Sequence, residues 1–374
     1  YLGPGPSKSM KKAGTTNTTN SFSTLLLRWN KEENRRKMPW KGEKDPYRIW
    51  LSEIILQQTR VEQGLDYYHR FIERFPAVSD LAAAPDTVVL KLWEGLGYYS
   101  RCRNLLATAR YIANEREGIF PDTYEEIKAL KGIGPYTAAA ISSFAYNLPH
   151  AVVDGNVFRV LSRVFGIAKP IDSTEGKKYF TQLADGLLDK KQPGLYNQAI
   201  MDFGAIVCKP ALPLCSSCVF NSQCEAYRQG KVNEWPVKEK KISIRKRWFY
   251  YLVMEYKGTI AIRQRTGKDI WNQLYEFPVI ETSAEQDAAH ILTQAEKQAW
   301  LLPKKYTKIS VSPLFKQQLS HQLIAGQFII LQLDRKPDLQ DGIVWVTEKE
   351  RMDYPFPKFI NQFLNGNKSH QSLF

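Results

Sequence analysis

No run of about 18 apolar residues occurs in the chain, which excludes a hydrophobic transmembrane helix and gives no expectation of a membrane partner. The charged n-region, apolar h-region and cleavage pattern of a secretory signal are also missing. A cytoplasmic location is therefore expected, nucleoid-associated if the source is bacterial. Cysteine is scarce, at five residues in 374. Disulfide frameworks spread their cysteines along a short secreted chain. Here four of the five fall between Cys208 and Cys224, and Cys102 stands alone as a small packed residue. That pattern points to one metal or cluster site in a reducing compartment. Acidic residues are in deficit, 38 against 52 basic, for a net charge of +14. The surplus points to a polyanionic partner, nucleic acid foremost. With 43% hydrophobic and 24% charged residues, a wholly disordered chain is excluded.

The length suggests two or three domains at roughly 150 residues each. Residues 1–20 are poor in apolar side chains and are expected to be a disordered tail. Its opening Tyr1-Leu2-Gly3-Pro4-Gly5-Pro6 looks appended, with Met10 as the natural start. From Ser21 to Glu225 the apolar spacing is helical: Ile49, Glu53 and Leu56 share one amphipathic segment, and Leu65, Tyr68 and Phe71 the next. Gly, Pro and Asp punctuate these segments, so residues 21–230 read as a bundle of short helices. From Trp248 the pattern becomes strand-like, beginning with Trp248-Phe249-Tyr250-Tyr251-Leu252-Val253-Met254. Further strand runs are Thr259–Arg263, Tyr306–Val311, Gln327–Leu333 and Gly342–Thr347, within a domain of residues 248–370. Residues 231–247 carry Lys238, Lys240, Lys241, Arg245, Lys246 and Arg247 and read as a basic linker.

The cysteines follow Cys208-x6-Cys215-x2-Cys218-x5-Cys224. Four thiolates at this spacing can hold one iron–sulfur cluster or one zinc ion. Structural zinc usually takes two separated C-x2-C pairs, whereas only one tight pair occurs here, which suits a cubane [4Fe-4S] cluster. Lys209 and Arg228 beside it fit a loop that touches phosphates. A second motif is Leu130-Lys131-Gly132-Ile133-Gly134-Pro135-Tyr136-Thr137-Ala138. Two glycines make a tight turn between helices, and Pro135 suits the first helical position. Free N–H groups at such a helix start can bind a DNA phosphate without reading sequence. About twenty residues on stands Asp154-Gly155-Asn156-Val157, and the cysteine loop follows.

This order of helix-hairpin-helix, aspartate and four-cysteine loop resembles the endonuclease III superfamily of DNA glycosylases. Within it, the chain is similar to the adenine DNA glycosylase (MutY) family. Pro39-Trp40, Trp50-Leu51-Ser52-Glu53, Leu56-Gln57-Gln58-Thr59, Gly95-Leu96-Gly97-Tyr98-Tyr99 and Asn197-Gln198-Ala199-Ile200-Met201-Asp202 carry the likeness. It runs from Ser21 to the C-terminus, strongly through Cys224 and more loosely beyond. The resemblance implies a multidomain protein: an all-α helix-hairpin-helix core with a [4Fe-4S] loop, followed by an α+β Nudix-like domain. The implied partner is double-stranded DNA carrying adenine opposite 8-oxoguanine or guanine, bound by a monomer.

Breaking a purine N-glycosidic bond builds positive charge on the sugar and negative charge on the base, so one carboxyl group should donate and another stay ionised. By resemblance, Glu53 is the acid that protonates adenine N7, and Asp154 is the carboxylate beside the sugar. Ile49, Trp50, Ile54 and Ile55 around Glu53 could raise its pKa by burial. N–H groups at Gly155-Asn156 would keep Asp154 ionised. Tyr136 holds the position at which backbone-cutting relatives carry a lysine that forms a Schiff base with the sugar. Tyrosine cannot form an imine, so base excision without strand cleavage is implied.

A stacked base must be flipped out and the gap filled. By resemblance Gln57, Gln58 and Thr59 lie at the lesion and Tyr98 wedges beside 8-oxoguanine. Gly132 and Gly134 take phosphate, and Arg35 or Arg36, Trp40 and Gln198 line the adenine pocket. Trp271-Asn272-Gln273-Leu274-Tyr275-Glu276-Phe277-Pro278 resembles a Nudix stretch. The R-E-U-x-E-E part that holds metal in Nudix hydrolases is absent, so this domain is expected to bind rather than hydrolyse. Leu319-Ser320-His321 resembles the family's Phe-Ser-His loop, with Ser320 and His321 reading 8-oxoguanine and a leucine in place of the aromatic. The competing readings are a bifunctional glycosylase/lyase for oxidised pyrimidines, a non-catalytic cluster-bearing DNA-binding protein, and a Nudix-type nucleotide hydrolase.

Overall fold

The structure is a computed structural model, and it describes residues 15–239, 243–338 and 342–366. The opening Tyr1–Pro6 and Met10, and Lys240 and Lys241 of the expected linker, lie outside the described residues. Helix begins at Thr15, inside the stretch expected to be a disordered tail. Contacts divide the chain into two units: residues 1–57 with 119–240, and residues 58–118 with 241–374. Among the described residues no helix is long and apolar enough to cross a membrane.

The first unit is helical. Its core joins Phe22, Leu26 and Trp29 of the helix Thr15–Glu32 to Val157, Val160 and Leu161 of the helix Gly155–Phe165. Tyr196, Ala199, Ile200 and Phe203 of the helix Pro193–Ile206 complete it. The helix Pro46–Leu56 starts at Asp45, whose carboxylate accepts from the N–H of Tyr47, with Pro46 in the first turn. It was expected to be amphipathic, but Ile49 through Ile55 are all buried, Glu53 included. It packs on the helix Pro135–Tyr146, whose Ala138, Ala139 and Ala140 allow close approach.

Residues 231–239 are not a free linker. Trp235 is buried, its carbonyl accepts from Arg163 Nε at 3.1 Å, and the carbonyl of Val237 accepts from the N–H of Ile171 at 3.0 Å. A single large aromatic thus outweighs the surrounding charge and docks the segment.

The second unit combines helices from residues 58–118 with a mixed sheet. Its eight strands are β1 (Arg245–Tyr256), β2 (Thr259–Gln264), β3 (Tyr275–Glu276), β4 (Val279–Thr282), β5 (Tyr306–Val311), β6 (Phe315–Gln318), β7 (Gln322–Leu333) and β8 (Ile343–Val346). Their order is β3-β2-β1-β7-β5, with β4 also on β1, β6 on β7 and β8 on β2. β1 and β7 run parallel, from Arg245 opposite Gln322 to Glu255 opposite Gln332; the other pairs are antiparallel. β1 is buried on both faces, which accounts for its unbroken apolar run. One face packs Trp248, Tyr250 and Leu252 with Ile291 and Ala295 of the helix Ala288–Lys297. Tyr251 and Phe328 on the other face meet Phe359 and Phe363 of the helix Lys358–Gly366.

Arg245, Lys246 and Arg247 belong to β1 and not to the linker. Arg247 is buried and bridges Asp269 at 2.7 Å and Glu281 at 2.6 Å, so its charge is neutralised within the unit. The continuous helical domain expected over 21–230 is interrupted, because residues 58–118 bond to the C-terminal part. Arg103 donates to the carbonyl of Asn272 at 2.8 Å, and Glu94 accepts from the N–H of Phe356 at 2.7 Å and from Asn361 at 2.9 Å.

Candidate active site

The first unit brings Glu53, Tyr136 and Asp154 together. Glu53 sits in the last turns of a buried helix and is 6% exposed, and the Tyr136 hydroxyl donates to its Oε2 at 2.7 Å. Burial pushes the Glu53 carboxyl up to about 7; the Tyr136 hydrogen bond pulls it down and the charge of Asp154 pushes it up. Burial holds the Tyr136 phenol well above its ordinary range, so it remains a donor.

Tyr136 is placed by the hairpin. The turn after the helix Tyr124–Ala129 needs Gly132 at φ +81°, and Ile133 is buried as its plug. Gly134 is the N-cap of the helix Pro135–Tyr146 and offers no capping side chain, which leaves first-turn N–H groups for an anion.

Asp154 is the N-cap of the helix Gly155–Phe165. Its Oδ1 accepts from the N–H of Val157 at 2.8 Å, and its Oδ2 from Asn156 Nδ2 at 2.7 Å. These donors favour the ionised form, as expected, yet burial is the larger influence and the net direction of its pKa is upward. Just before it, Asn197 is fully buried and fixes the incoming backbone. Its Oδ1 accepts from the N–H of Val152 at 3.2 Å, and its Nδ2 donates to Ser143 Oγ at 2.9 Å and the carbonyl of His150 at 2.8 Å.

Two arginines one helical turn apart carry this network to the cysteine loop. Arg159 Nη2 donates to Asn156 Oδ1 and to the carbonyl of Gly204, both at 2.7 Å, and Arg159 Nε donates to the carbonyl of Cys208 at 2.7 Å. Arg163 Nη1 points at Cys208 Sγ at 3.5 Å and also donates to the carbonyl of Lys209 at 2.7 Å. Both guanidinium groups are buried. Their signal was present in Gly155-Asn156-Val157-Phe158-Arg159-Val160-Leu161-Ser162-Arg163, where two arginines at i, i+4 interrupt an apolar face.

Cys208, Cys215, Cys218 and Cys224 line one cavity with Val164 and Phe203. Among the described residues no three His, Cys, Asp or Glu side chains form a single-ion ligand set. The N–H of Phe220 is directed at Cys218 Sγ at 3.4 Å, and Arg163 at Cys208. Donors aimed at sulfur suit thiolates carrying the negative charge of a cluster. Arg228, expected beside phosphate, is tied instead to Glu225, Nε to Oε2 at 2.9 Å.

The adenine-pocket candidates separate. Arg35 is exposed and donates to the carbonyl of Glu32 at 2.7 Å, whereas Arg36 bonds Asp202 at 2.9 Å. Asp202 is fully buried and also receives Lys41 at 3.0 Å, Asn34 at 2.9 Å and Gln198 at 3.0 Å. Gln198 therefore joins a carboxylate-centred cluster that the sequence reading missed. Trp40 is buried, and Gln57 donates to Thr137 Oγ1 at 3.1 Å.

Gln58, Thr59, Tyr98, Ser320 and His321 belong to the second unit. Gln58 is exposed at φ +56°. Tyr98 is 43% exposed at φ +48°, a left-handed conformation unusual for a side chain of its size. Its ring faces the Arg101 guanidinium, which also lies over Trp93 and reaches Thr59 Oγ1 at 3.4 Å. Ser320 and His321 form the turn between β6 and β7. The Tyr98 and Ser320 hydroxyls hydrogen-bond to each other, although 222 residues separate them. Together with Arg103, Trp271 and His321 they line a cavity of about 780 Å³. The helix Ala288–Lys297, which follows the Nudix-like stretch, carries Glu296 as its one acidic residue, and that side chain accepts from Tyr306 at 3.0 Å.

Residues 51–184 match the HhH-GPD superfamily base excision DNA repair protein model, and residues 249–366 match the NUDIX domain model. An adenine DNA glycosylase of Buchnera aphidicola (subsp. Baizongia pistaciae) is 36% identical over 307 residues, covering 81% of this chain and 84% of the relative. Another, from the subsp. Schizaphis graminum, is 32% identical and covers 92% and 97%. Among solved structures, a thermostable thymine-DNA glycosylase is similar at a TM-score of 0.54 and 29% identity, over 58% of this chain and all of the other. The buried carboxylates, the helix-hairpin-helix and the Nudix-like sheet thus sit in a chain that belongs to the adenine DNA glycosylase family, DNA glycosylases of base excision repair.

Proposed function

We propose that the protein hydrolyses the N-glycosidic bond of adenine paired with 8-oxoguanine or guanine in duplex DNA and leaves an abasic site. The carrying observation is the buried Glu53, whose carboxyl burial pushes up to about 7, beside Asp154. Glu53 donates its proton to N7 of the flipped adenine, which makes the base a better leaving group. Asp154, fixed by Asn156 and the N–H of Val157, places negative charge beside the sugar cation as the bond opens. Tyr136 orients Glu53 through its hydroxyl. It offers no amine for a Schiff base, which supports base release without strand cleavage.

Gln57, Gln58 and Thr59 contact the lesion, Tyr98 fills the opened stack, and Ser320 with His321 reads the 8-oxoguanine. Gly132 and Gly134 hold backbone phosphate, and Trp40, Arg36 and Gln198 shape the adenine pocket. Residues 21–230 supply the catalytic groups and residues 248–370 the reading groups, a division of labour distinct from the contact units. Cys208, Cys215, Cys218 and Cys224 hold a [4Fe-4S] cluster. Such a cluster braces the loop whose Cys208 carbonyl anchors Arg159.

The test compares duplexes bearing adenine opposite 8-oxoguanine, adenine opposite guanine, and thymine glycol, each with and without alkali. An alkali-dependent break at adenine supports the proposal. A direct break at thymine glycol, with a borohydride-trapped adduct, would establish the glycosylase/lyase reading instead.

A further inference from the structure

Glu94 stands just past the helix Asp86–Leu92, immediately before the turn Gly95-Leu96-Gly97-Tyr98. Its carboxylate grips the C-terminal part of the second unit. Oε1 accepts from the N–H of Phe356 at 2.7 Å and from Asn361 Nδ2 at 2.9 Å, and Oε2 pairs with Lys91 Nζ at 2.9 Å. Lys91 also donates to the carbonyl of Tyr354 at 3.0 Å. The Glu94 side chain is only 18% exposed, so water competes little for these donors. Hydrogen bonds to such a carboxylate are stronger than neutral ones, whereas an exposed ion pair contributes little.

Both sides of this grip are rigid. In Tyr354-Pro355-Phe356-Pro357 the prolines have no N–H, so Phe356 carries the one backbone donor between Tyr354 and Lys358. The Phe356 ring is buried beside Phe277, and the carbonyl of Pro355 accepts from the N–H of Tyr275 in β3 at 2.8 Å. To hold Phe356 is therefore to hold the sheet. On the other side, the Glu94 carbonyl accepts from the Tyr67 hydroxyl at 2.6 Å. The Gly95 N–H donates to the Tyr99 hydroxyl at 3.2 Å, and Trp93 Nε1 donates to the carbonyl of Gly97 at 3.0 Å. A turn fixed at these points carries the position of Glu94 to Tyr98.

We propose that Glu94 is a positioning residue: it clasps residues 354–361 and so holds the sheet in register with the helices of residues 58–118 that carry Tyr98. It touches neither base and acts by keeping two lesion-contacting parts of the chain together. This rests on the proposed action at adenine opposite 8-oxoguanine. The test uses the full-length protein in single-turnover excision of adenine opposite 8-oxoguanine and opposite guanine. Glu94→Ala should lower the 8-oxoguanine:guanine rate ratio by roughly tenfold, the scale of one lost hydrogen bond to a charged group, and leave release opposite guanine unchanged. Glu94→Gln keeps an oxygen for the Phe356 N–H and should retain most of the preference. Asn361→Ala should act in the same direction as Glu94→Ala, and the double variant should lose no more than Glu94→Ala alone. Hydrogen exchange gives a second readout. Across residues 355–357 only Phe356 has an amide, and its exchange should quicken in Glu94→Ala.

An unchanged ratio in Glu94→Ala, equal losses on both duplexes, additive losses in the double variant, or unaltered exchange at Phe356 overturns the assignment. A parent protein that fails to release adenine opposite 8-oxoguanine refutes the underlying function, whatever the variants do.

Discussion

The Tyr136 hydroxyl donates to Oε2 of Glu53 across 2.7 Å, joining side chains 83 residues apart. One comes from the hairpin and the other from a helix buried on all sides. Burial pushes the Glu53 carboxyl up to about 7 against the pull of this hydrogen bond, and the phenol that aims it is held well above its own ordinary range.

The pH dependence of base release follows from that group. A general acid must hold its proton, so the single-turnover rate should fall as pH rises through about 7. Glu53→Gln should remove nearly all release. The same variant should be more stable than the parent at alkaline pH. The folded state raises the Glu53 pKa from 4.5 to about 7. Its contribution is therefore fully present below the unfolded value and is lost as pH rises through 7. The loss is on the order of 3 kcal/mol, since each pKa unit is worth about 1.4 kcal/mol. Calorimetry should find the variant melting higher at about pH 8 and level with the parent at about pH 4. A higher parent melting point in alkali would count against a buried, ionising Glu53.

Tyr136 can be tested by two substitutions. Tyr136→Phe removes a hydrogen bond that lowers the Glu53 pKa, so the alkaline limb of the rate profile should move up in pH, with a lower plateau. Tyr136→Lys introduces an amine at this position. Borohydride should then trap a DNA adduct with the variant and none with the parent. A trapped parent would assign the imine to another lysine.

The path from Asp154 to the cysteine loop should respond to a single methyl group. A Cβ on Gly204 would lie 2.6 Å from the Cβ of Asn156. Gly204→Ala should therefore displace Asn156 from Asp154 and slow base release by roughly tenfold or more, the cost of losing a hydrogen bond to a charged group. Arg159→Gln should act in the same direction. Unchanged release in both would disconnect Asp154 from this network.

Metal analysis tests the loop. Iron and sulfide should co-purify with the protein, and Cys208→Ser should lower both along with the melting temperature. Zinc without iron would replace the cluster with a structural zinc ion.

Ser320→Ala and Tyr98→Phe each remove one end of the hydroxyl pair that lines the cavity of the second unit. Both should reduce the ratio of release opposite 8-oxoguanine to release opposite guanine. Their double variant should do little more than either alone, as expected for two groups sharing one bond. Fully additive losses would mean that they act separately.

Local chemistry made some features legible early. Asp154 and Pro135 announce helix starts, and Gly132 announces the left-handed turn in the hairpin. The run from Trp248 to Met254 declares a strand because β1 is apolar on both faces. β3, β4 and β6 escaped because their two to four residues are too short for alternation to register. The linker was misjudged through its charge: Trp235 docks the segment and Arg247 is spent on Asp269 and Glu281. The Asp202 cluster escaped because Asn34, Arg36 and Lys41 lie far from Asp202 in sequence, and only the fold brings them to the helix face that Asp202 shares with Gln198.

By itself the sequence determined the inventory: two candidate carboxylates, a tyrosine in place of a lysine, four clustered cysteines and a surplus of positive charge. These are properties of residue identity and spacing, and they need no neighbours to be read. Tertiary structure decided which groups are out of water and which face one another. Burial, not the hydrophobic neighbours in sequence alone, raises Glu53, and it outweighs the helix N–H groups at Asp154. Desolvation depends on what the rest of the chain packs around a group, and no local pattern encodes it. For the same reason the pairing of Tyr98 with Ser320, and the grip of Glu94 on Phe356, emerged only from the folded chain.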